Sequence, residues 1–262
     1  MKNTNMIDDI NQSTMAKDVE FYSSCMGLTK AEYSALQMAQ DVVDKPILDI
    51  GVGAGRTTEA LIEISEQYLG IDYSREMVSA CRTKYPGVRF EYADARNLSH
   101  FSDNMFYLVV FSMNGLCMVN HEGRLQILRE IFRVLQPGGV FLFSAYNKKN
   151  SRHRKLFQFP EFNFTFHPLK FIARMIRYTN ATLIRGWNRY KHIRHEHHTD
   201  SYSIINDVCH NYSTFLYYTT KDQQLSQLHC VGFDKEIVAL DLAGDVIQHD
   251  TDHDSITYLV RK

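Results

Sequence analysis

Short apolar runs alternate with helical segments along residues 46–144 of this 262-residue chain. The first run, 46–50, is nearly continuous in apolar residues, as is typical of a strand buried on both faces of a parallel sheet. Further strand-like runs follow at 68–71, 88–92, 105–112 and 140–144, and helical patterns at 57–66, 74–84 and around 125–135 separate them. Five parallel strands with crossover helices predict a doubly wound α/β fold.

Segments outside this core complete the prediction. Residues 16–44 indicate two cap helices broken near Gly27, and a basic, aromatic-rich insertion at 147–219 follows the fifth strand. A helix at 222–230 and strands at 235–240 and 255–260 then bring the sheet to seven mostly parallel strands. We find no repeat or low-complexity linker, so we expect one domain over 1–262 that the insertion interrupts.

Composition excludes several classes of protein. With 44% hydrophobic and 23% charged residues, the chain can bury an ordinary core and is not a disordered protein. Its polar start, 1–15, lacks the apolar core of a signal peptide, and no apolar stretch approaches the roughly 20 residues that span a bilayer. We expect a cytoplasmic protein. Five widely spaced cysteines without a Cys-x-x-Cys pair argue against disulfides or structural zinc.

A glycine-rich loop, Asp49-Ile-Gly-Val-Gly-Ala-Gly-Arg56, joins the first strand to the first core helix. Its glycines let a ligand lie against the backbone at a helix N-terminus. The dinucleotide fingerprint needs a third glycine where Arg56 stands, and the Gly-Lys-Ser/Thr of a Walker A loop is missing. These differences favour a ligand that approaches the turn closely and carries an amino acid end.

Two acidic residues end the next two strands. Asp72 lies 21 residues after Gly51, where a carboxylate can accept both hydroxyls of a ribose. That position alone does not separate nicotinamide from adenosyl ligands. Asp94 places a second carboxylate in the same crevice, where it could bind an exocyclic adenine amine or instead cap a helix.

Together these segments resemble the class I S-adenosylmethionine-dependent methyltransferases. The resemblance covers about residues 45–145, through Ile47-Leu-Asp-Ile-Gly-Val-Gly-Ala-Gly55, Gly70-Ile-Asp72, Tyr92-Ala-Asp94 and Leu135-Gln-Pro-Gly-Gly139. It implies that the glycine loop takes the methionine part of S-adenosylmethionine, that Asp72 binds the ribose and that Asp94 binds the adenine. One departure is Tyr107, where many relatives carry an acidic residue.

The resemblance implies a cofactor site built from the ends of the first four strands. The expected cofactor residues are Asp49, Gly51, Gly53, Gly55, Arg56, Asp72, Tyr73, Met77, Asp94, Ala95, Phe111, Ser112 and Met113. Arg56 could pair with the cofactor carboxylate or face solvent. Tyr22 and Tyr33, in the cap helices, are candidate lid contacts, with core packing as the alternative.

The methyl donor and its acceptor would meet at the end of the fourth strand, 111–114. This stretch lacks the Asn/Asp-Pro-Pro-Tyr of adenine-N6 or glutamine methylation, and Cys117 does not follow a proline as a cytosine-C5 nucleophile would, so we interpret it as a core residue. A general base would help with a hydroxyl acceptor, and the candidates are His210 and the histidines of the run 195–198. We favour His210, with a histidine that is merely packed or hydrogen-bonded as the alternative. The expected acceptor contacts are Asn114, His210, Tyr212 and Arg174.

The insertion is strongly basic although the whole chain is nearly neutral. Residues 147–200 carry a balance of +9 against −10 for the remainder. Within it, 168–178 predicts an amphipathic helix with Lys170, Arg174 and Arg177 on one face. A lid helix packed on the domain with solvated charges is the favoured interpretation; an anionic acceptor, a membrane surface and RNA are the alternatives. The run 195–198 (His-Glu-His-His) offers too few ligands for zinc, so we expect no metal.

We therefore predict a methyltransferase that uses S-adenosylmethionine, releases S-adenosylhomocysteine and methylates oxygen or nitrogen of a small or medium-sized metabolite, anionic ones included. A nucleic acid partner is not expected. The alternatives are a methyltransferase acting on RNA or on a membrane-associated glycolipid, and a non-catalytic nucleoside-binding module. Tyr107 is the feature that points to the last of these.

Overall fold

The computed structural model describes residues 4–17, 19–24, 26–151, 155, 157–249 and 251–262. The strands in these ranges are β1 (Ile47–Ile50), β2 (Tyr68–Asp72), β3 (Phe90–Tyr92), β4 (Phe106–Phe111), β5 (Leu135–Asn147), β6 (His197–His198), β7 (Tyr202–Asp207), β8 (Thr214–Thr219), β9 (Ile237–Leu240) and β10 (Ser255–Arg261). The α-helices are α1 (Thr4–Met15), α2 (Val19–Ser23), α3 (Lys30–Met38), α4 (Thr58–Ile64), α5 (Arg75–Lys84), α6 (His121–Val134), α7 (Pro168–His192) and α8 (Lys221–Val231). Cys25 and 152–154 of the insertion lie outside the described residues.

Seven of these strands form the predicted doubly wound sheet, in the order β3-β2-β1-β4-β5-β10-β9. The first five are parallel to one another, and β10 runs antiparallel to both of its neighbours. The insertion adds β8, β7 and β6, because β8 pairs with the last two residues of β5, Tyr146 and Asn147. The predicted fold class is thus confirmed, with three further strands.

Helices cover both faces of the sheet. Leu48 and Val109 point to one face, where they pack with Ile131 of α6 and Leu228 of α8. The opposite face holds a second apolar cluster built from α3, α4 and α5 against the same strands. Since strands with apolar residues on both faces must be covered twice, this layering follows from the continuous apolar runs in the sequence.

Helix α1 was not predicted, because its sequence is mostly polar, although Ile7 and Ile10 pack against the core. The buried side chain of Asn11 anchors α1 to the rest of the protein. The Asn11 amide donates to the carbonyls of Met118 (2.6 Å) and Phe215 (2.8 Å) and accepts from the Phe215 N–H at 2.8 Å. Hydrogen bonds to backbone groups more than 100 residues away cannot be recognised from a pattern in the sequence.

Other boundaries differ in detail from the sequence prediction. Ser74 caps α5, accepting from the Met77 N–H at 3.3 Å. Helix α6 ends at Val134, and Pro137-Gly-Gly139 lies inside β5, which begins earlier than the predicted strand at 140. The chain leaves the helix early because Leu135 already pairs with Phe106 of β4.

The position of Tyr107 explains its departure from the family pattern. It is the second residue of β4, at the end of the sheet opposite the glycine loop. Its hydroxyl donates to Asp41 at 2.7 Å, and Asp41 is also paired with Arg261. Tyr107 therefore ties the start of β4 to the cap region and the C-terminal strand, and it gives no support to a non-catalytic module.

Helix α7 corrects the prediction in both extent and orientation. It runs for 25 residues instead of ending near 178. Its apolar residues Leu169, Ile172 and Ile176 are exposed, whereas Arg174 is half-buried. The favoured interpretation of a helix packed through its apolar side is therefore wrong. In the described part of the chain, no helix is long and apolar enough to cross a membrane.

Candidate active site

The carboxyl ends of β1 to β4 meet at one edge of the sheet. Because β1 lies between β2 and β4, the chain crosses to opposite faces of the sheet on either side of β1. Crevices for ligands form at such switch points in doubly wound sheets. The predicted cofactor residues lie at or shortly after these four strand ends, so the fold places them along one edge.

The three glycines of the loop after β1 all have left-handed backbone conformations, with φ of +63° at Gly51, +56° at Gly53 and +83° at Gly55. A Cβ at Gly51 would lie 2.7 Å from the Phe111 ring, and one at Gly55 would lie 2.6 Å from the Tyr85 ring. At Gly53 a Cβ would meet no described atom within 4 Å. Packing therefore requires two of the glycines, while Gly53 faces open space that a ligand can approach.

Asp49, at the third position of β1, is fully buried beneath this loop. Its Oδ2 accepts from the Thr57 hydroxyl at 2.6 Å and from the Tyr68 hydroxyl at 2.9 Å. Its Oδ1 has no hydrogen-bond partner among the described residues. Burial raises the pKa of the Asp49 carboxyl to about 6. A buried carboxylate oxygen without a donor is costly, and a cationic ligand group would relieve that cost.

Asp72, at the end of β2, fixes the conformation of the glycine loop. Its Oδ2 accepts from the Gly53 N–H at 2.9 Å and its Oδ1 from the Ser74 N–H at 2.8 Å. Burial raises the pKa of Asp72 to about 6, against the lowering effect of these backbone bonds. Each carboxylate oxygen keeps a second lone pair, so Asp72 can accept two hydroxyls from a ribose while it holds the loop.

Asp94 follows β3 and is tied to an arginine that the sequence analysis missed. It accepts from the Arg96 backbone N–H at 2.9 Å and from two guanidinium nitrogens at 3.0 and 2.5 Å, and Arg96 also pairs with Asp8 of α1 at 2.5 Å. Although burial raises the pKa of Asp94, the bonds from Arg96 lower it overall. No α-helix begins here, so the helix-cap alternative is wrong. An adenine amine would have to share the carboxylate with Arg96.

Arg56, at the end of the loop, connects it to the cap helix α3. Its guanidinium donates to both carboxylate oxygens of Glu32, at 3.0 and 2.6 Å, and to the Gly27 carbonyl at 2.5 Å. Both side chains are largely buried, so the solvent-facing alternative for Arg56 is wrong. Glu32 also completes the capping box of α3 with Thr29. A cofactor carboxylate could reach Arg56 only in competition with Glu32.

The end of β4 forms a strained turn. Met113 and Asn114 have φ of 49° and 57°, a conformation that costs a non-glycine residue about 1–3 kcal/mol. The turn is held by β5 and β10, since the Asn114 N–H donates to the Ser144 hydroxyl at 2.8 Å and its Oδ1 accepts from the Ser255 hydroxyl at 2.7 Å. Met113 is thereby presented on the surface and Ser112 is half-buried beside it.

Three other predicted cofactor residues follow β2 and β3. Met77 and Ala95 are buried, whereas Tyr73 keeps part of its surface exposed. Burial and the charges of Asp72 and Asp94 raise the pKa of the Tyr73 hydroxyl. Met77 and Ala95 therefore support the edge of the site from within.

The predicted base His210 contacts the cap helix α2. Its Nε2 lies 3.2 Å from the Tyr22 hydroxyl, across 188 residues of sequence, and a contact of Tyr22 with the cofactor stays a prediction. His210, Asn211 and Tyr212 form three successive left-handed residues, with φ of 50°, 56° and 62°. Such a run is unusual because each non-glycine residue costs roughly 1–2 kcal/mol in this conformation. Tyr33, by contrast, is exposed in a concavity lined also by Lys30.

Tyr212 and Arg174 have structural partners inside the insertion. The Tyr212 hydroxyl accepts from the Gln158 N–H at 2.7 Å, and its buried ring stacks on Phe157 at 5.5 Å between centroids. Arg174 donates to the carbonyls of Asn163 and Phe164 at 2.7 and 3.0 Å. Both side chains are thus held by partners within the insertion, and their acceptor role stays a prediction.

The remaining candidates concern metals and thiols. Among the described residues, no group of three or more His, Cys, Asp or Glu side chains is arranged to hold a metal ion. His198 lies 3.4 Å from Glu196 at the start of β6. Cys117 is fully buried, as predicted, and its sulfur contacts the Arg124 guanidinium and the Tyr146 N–H.

Comparisons with known proteins bear directly on this site. Residues 47–139 match the family model of a methyltransferase domain. A probable S-adenosylmethionine-dependent methyltransferase of Mycolicibacterium smegmatis is 27% identical over 43% of this chain and 42% of its own length. The demethylmenaquinone methyltransferase of Chlorobaculum parvum is 31% identical over 42% of this chain and 45% of its own length.

Residues 47–139 therefore form a methyltransferase domain of the class I S-adenosylmethionine-dependent type. Among solved structures the chain resembles the 1,6-didemethyltoxoflavin-N1-methyltransferase of Burkholderia thailandensis, with a TM-score of 0.60, 13% identity and coverage of 99% of this chain and 90% of that one. At that identity the likeness shows the fold alone. The chain spans about half the length of the curated relatives that it matches.

Proposed function

We propose that this methyltransferase binds S-adenosylmethionine at the ends of β1 to β4 and methylates oxygen or nitrogen of a small or medium-sized acceptor. The observation that carries the proposal is the open face of Gly53 above Asp49, whose buried Oδ1 lacks a partner. A ligand with a cationic amino acid end fits both features. S-adenosylhomocysteine is then the product.

Each residue has a defined part in this proposal. Asp49 pairs with the ligand ammonium, Asp72 accepts the ribose hydroxyls, and Asp94 with Arg96 borders the adenine. When bound, the sulfonium supplies an already activated methyl group. The protein therefore has to orient the acceptor in line with the methyl–sulfur bond and exclude water.

For a hydroxyl acceptor, His210 takes the proton at Nε2 as the oxygen attacks the methyl carbon. In the free chain the Tyr22 hydroxyl lies 3.2 Å from that nitrogen, whose single lone pair the acceptor hydroxyl takes over when it binds; Tyr22 then positions the imidazole from beside the ring. The left-handed turn at 210–212 fixes the imidazole, and α7 supports it: Arg185 donates to the Asn211 side chain and Asn188 to its carbonyl, both at 2.9 Å. The His210 turn is thus contacted by Tyr22 of α2 on one side and by α7 on the other.

We infer the class of acceptor from the names of the relatives. The Chlorobaculum parvum relative is named for demethylmenaquinone. An aromatic ring that bears hydroxyl groups is consistent with a base at His210, so such rings come first in an acceptor screen that measures S-adenosylhomocysteine release. An RNA acceptor predicts that activity falls steeply between 50 and 200 mM salt, roughly 10³-fold for several phosphate contacts. A metabolite acceptor does not.

Replacing Asp49 with asparagine is expected to weaken S-adenosylmethionine binding and to stabilise the free protein. The folded-state pKa of Asp49 is raised from 3.8 to about 6, so its contribution to stability is present below pH 4 and is lost as the pH rises through 6. An uncharged asparagine avoids this loss, worth up to about 3 kcal/mol at pH 8. Denaturant unfolding at pH 4 and pH 8 measures the effect.

The same pKa shift predicts the pH dependence of ligand binding. A ligand ammonium favours the charged form of Asp49, so wild-type affinity should rise as the pH increases through 6, and Asp49→Asn should reduce that rise. Asp252→Asn, at an exposed carboxyl, is the control and should change neither quantity. Equal affinities of wild type and Asp49→Asn at pH 8 would show that Asp49 does not face the ligand.

A further inference from the structure

Helix α7 is oriented with its polar side toward the protein. Arg185 and Asn188 hold Asn211, and Arg189 donates to the Asn206 carbonyl at 2.9 Å. A surface helix of a globular protein ordinarily packs its apolar stripe against the core and leaves its polar side in water. The reversed arrangement leaves the apolar side of α7 uncovered in the free chain.

The exposed side of α7 carries a continuous stripe of large apolar side chains. Its members, each between 55% and 78% exposed, are Leu169, Ile172, Ile176, Leu183, Trp187 and Tyr190. Their spacings of three, four or seven residues place them on one face of the helix. Just before the helix, Phe164 and Phe166 are 61% and 93% exposed. A patch of this size marks an interaction site.

Charge indicates what covers this stripe. Helix α7 contains six Lys or Arg residues and no Asp or Glu. Lys170, Arg177 and Lys191 are exposed along one border of the stripe. Pairing two copies of this helix would bring two cationic surfaces together, whereas an anionic partner would complement them. A long helix with a basic border and a Trp, Tyr and Leu face is typical of segments that lie in a membrane interface.

We propose that α7 and Phe164–Phe166 form a membrane-docking surface that binds an anionic lipid bilayer. The stripe enters the interface between headgroups and acyl chains, and Lys170, Arg177 and Lys191 lie at the headgroup phosphates. At 25 residues the helix extends about 38 Å along the membrane. Through Arg185 and Asn188, the same helix would hold the His210 turn beside the bilayer. The binding itself does not depend on the methyl-transfer proposal.

Trp187 allows a direct test, because it is the single tryptophan of the chain. The full chain is mixed with phosphatidylcholine vesicles that contain or lack phosphatidylglycerol, and binding is followed by co-flotation and by tryptophan emission. We expect co-flotation and a blue shift with the anionic vesicles, both weakened by salt. Each cation near the surface contributes roughly 5-fold, so the triple charge reversal K170E/R177E/K191E should weaken binding about 100-fold.

A second variant tests the apolar component. I176E/L183E should also abolish flotation, whereas Leu242→Glu, at an exposed apolar residue outside α7, should bind like wild type. Circular dichroism checks that each variant is folded. Absence of flotation and of a blue shift in wild type would overturn the proposal. So would I176E/L183E binding as wild type does, or a vesicle-independent blue shift that accompanies dimer formation or RNA binding.

Discussion

Replacing Gly53 with alanine is expected to weaken S-adenosylmethionine binding by about 100-fold, while Gly87→Ala leaves it unchanged. Both glycines have left-handed φ, +56° and +88°, and in both cases a Cβ would meet no described atom within 4 Å. The two variants therefore carry a similar backbone penalty of about 1–2 kcal/mol. They differ in position, because only Gly53 lies in the loop that would contact the ligand.

Comparing Gly53→Ala with Gly87→Ala distinguishes the loss of a ligand contact from a loss of folding. Thermal unfolding should show comparable destabilisation in both variants, and calorimetry should show weaker binding in Gly53→Ala alone. A methyl group forced into a close contact costs about 1–3 kcal/mol, which sets the expected range up to about 100-fold. If Gly53→Ala and Gly87→Ala bind the ligand equally well, the ligand does not lie against Gly53.

Replacing His210 with glutamine is expected to lower kcat toward a hydroxyl acceptor by about 100-fold or more, the usual contribution of a general base. Affinity for S-adenosylmethionine should stay within about twofold, because that ligand is assigned to the strand ends and not to the insertion. The acid limb of the pH–rate profile, which reports loss of a proton from the base, should disappear. His229→Gln, at an exposed histidine of α8, is the control.

Tyr22→Phe distinguishes a chemical role of His210 from a structural one. It removes the hydroxyl 3.2 Å from Nε2 but keeps the ring that lies beside His210. We expect a displaced acid limb and a smaller loss of kcat than in His210→Gln, without a change in ligand affinity. A His210→Gln enzyme that keeps its acid limb and its kcat would show that another group, or no group, removes the proton.

The sequence predicted the sheet and the cofactor loop well because both depend on local patterns. Buried parallel strands appear as apolar runs, and left-handed turns appear as glycines at Gly51, Gly53 and Gly55. Asp72, the last residue of β2, and Asp94, two residues after β3, could be placed because the apolar runs end there. These features need no knowledge of distant contacts.

Other parts of the site depend on distant partners and could not be predicted in this way. Glu32 holds Arg56 across 24 residues, and Asp8 reaches Arg96 across 88 residues. Helix α7 shows a related limit, since an amphipathic pattern reveals that a stripe exists but not which side faces the protein. In the structure the polar side of α7 faces the protein, and the half-buried Arg185 donates a hydrogen bond to the Asn211 side chain.

The most direct test of the account is calorimetric titration of purified, ligand-stripped protein with S-adenosylmethionine and S-adenosylhomocysteine, beside Asp72→Ala. Asp72 is the side chain that both fixes the glycine loop and is assigned the ribose hydroxyls. The account predicts micromolar binding to wild type and a loss of at least about 100-fold in Asp72→Ala, since two hydrogen bonds to a charged group contribute about 1.5–3 kcal/mol each. No binding to stripped wild type, or equal binding to both proteins, would contradict it.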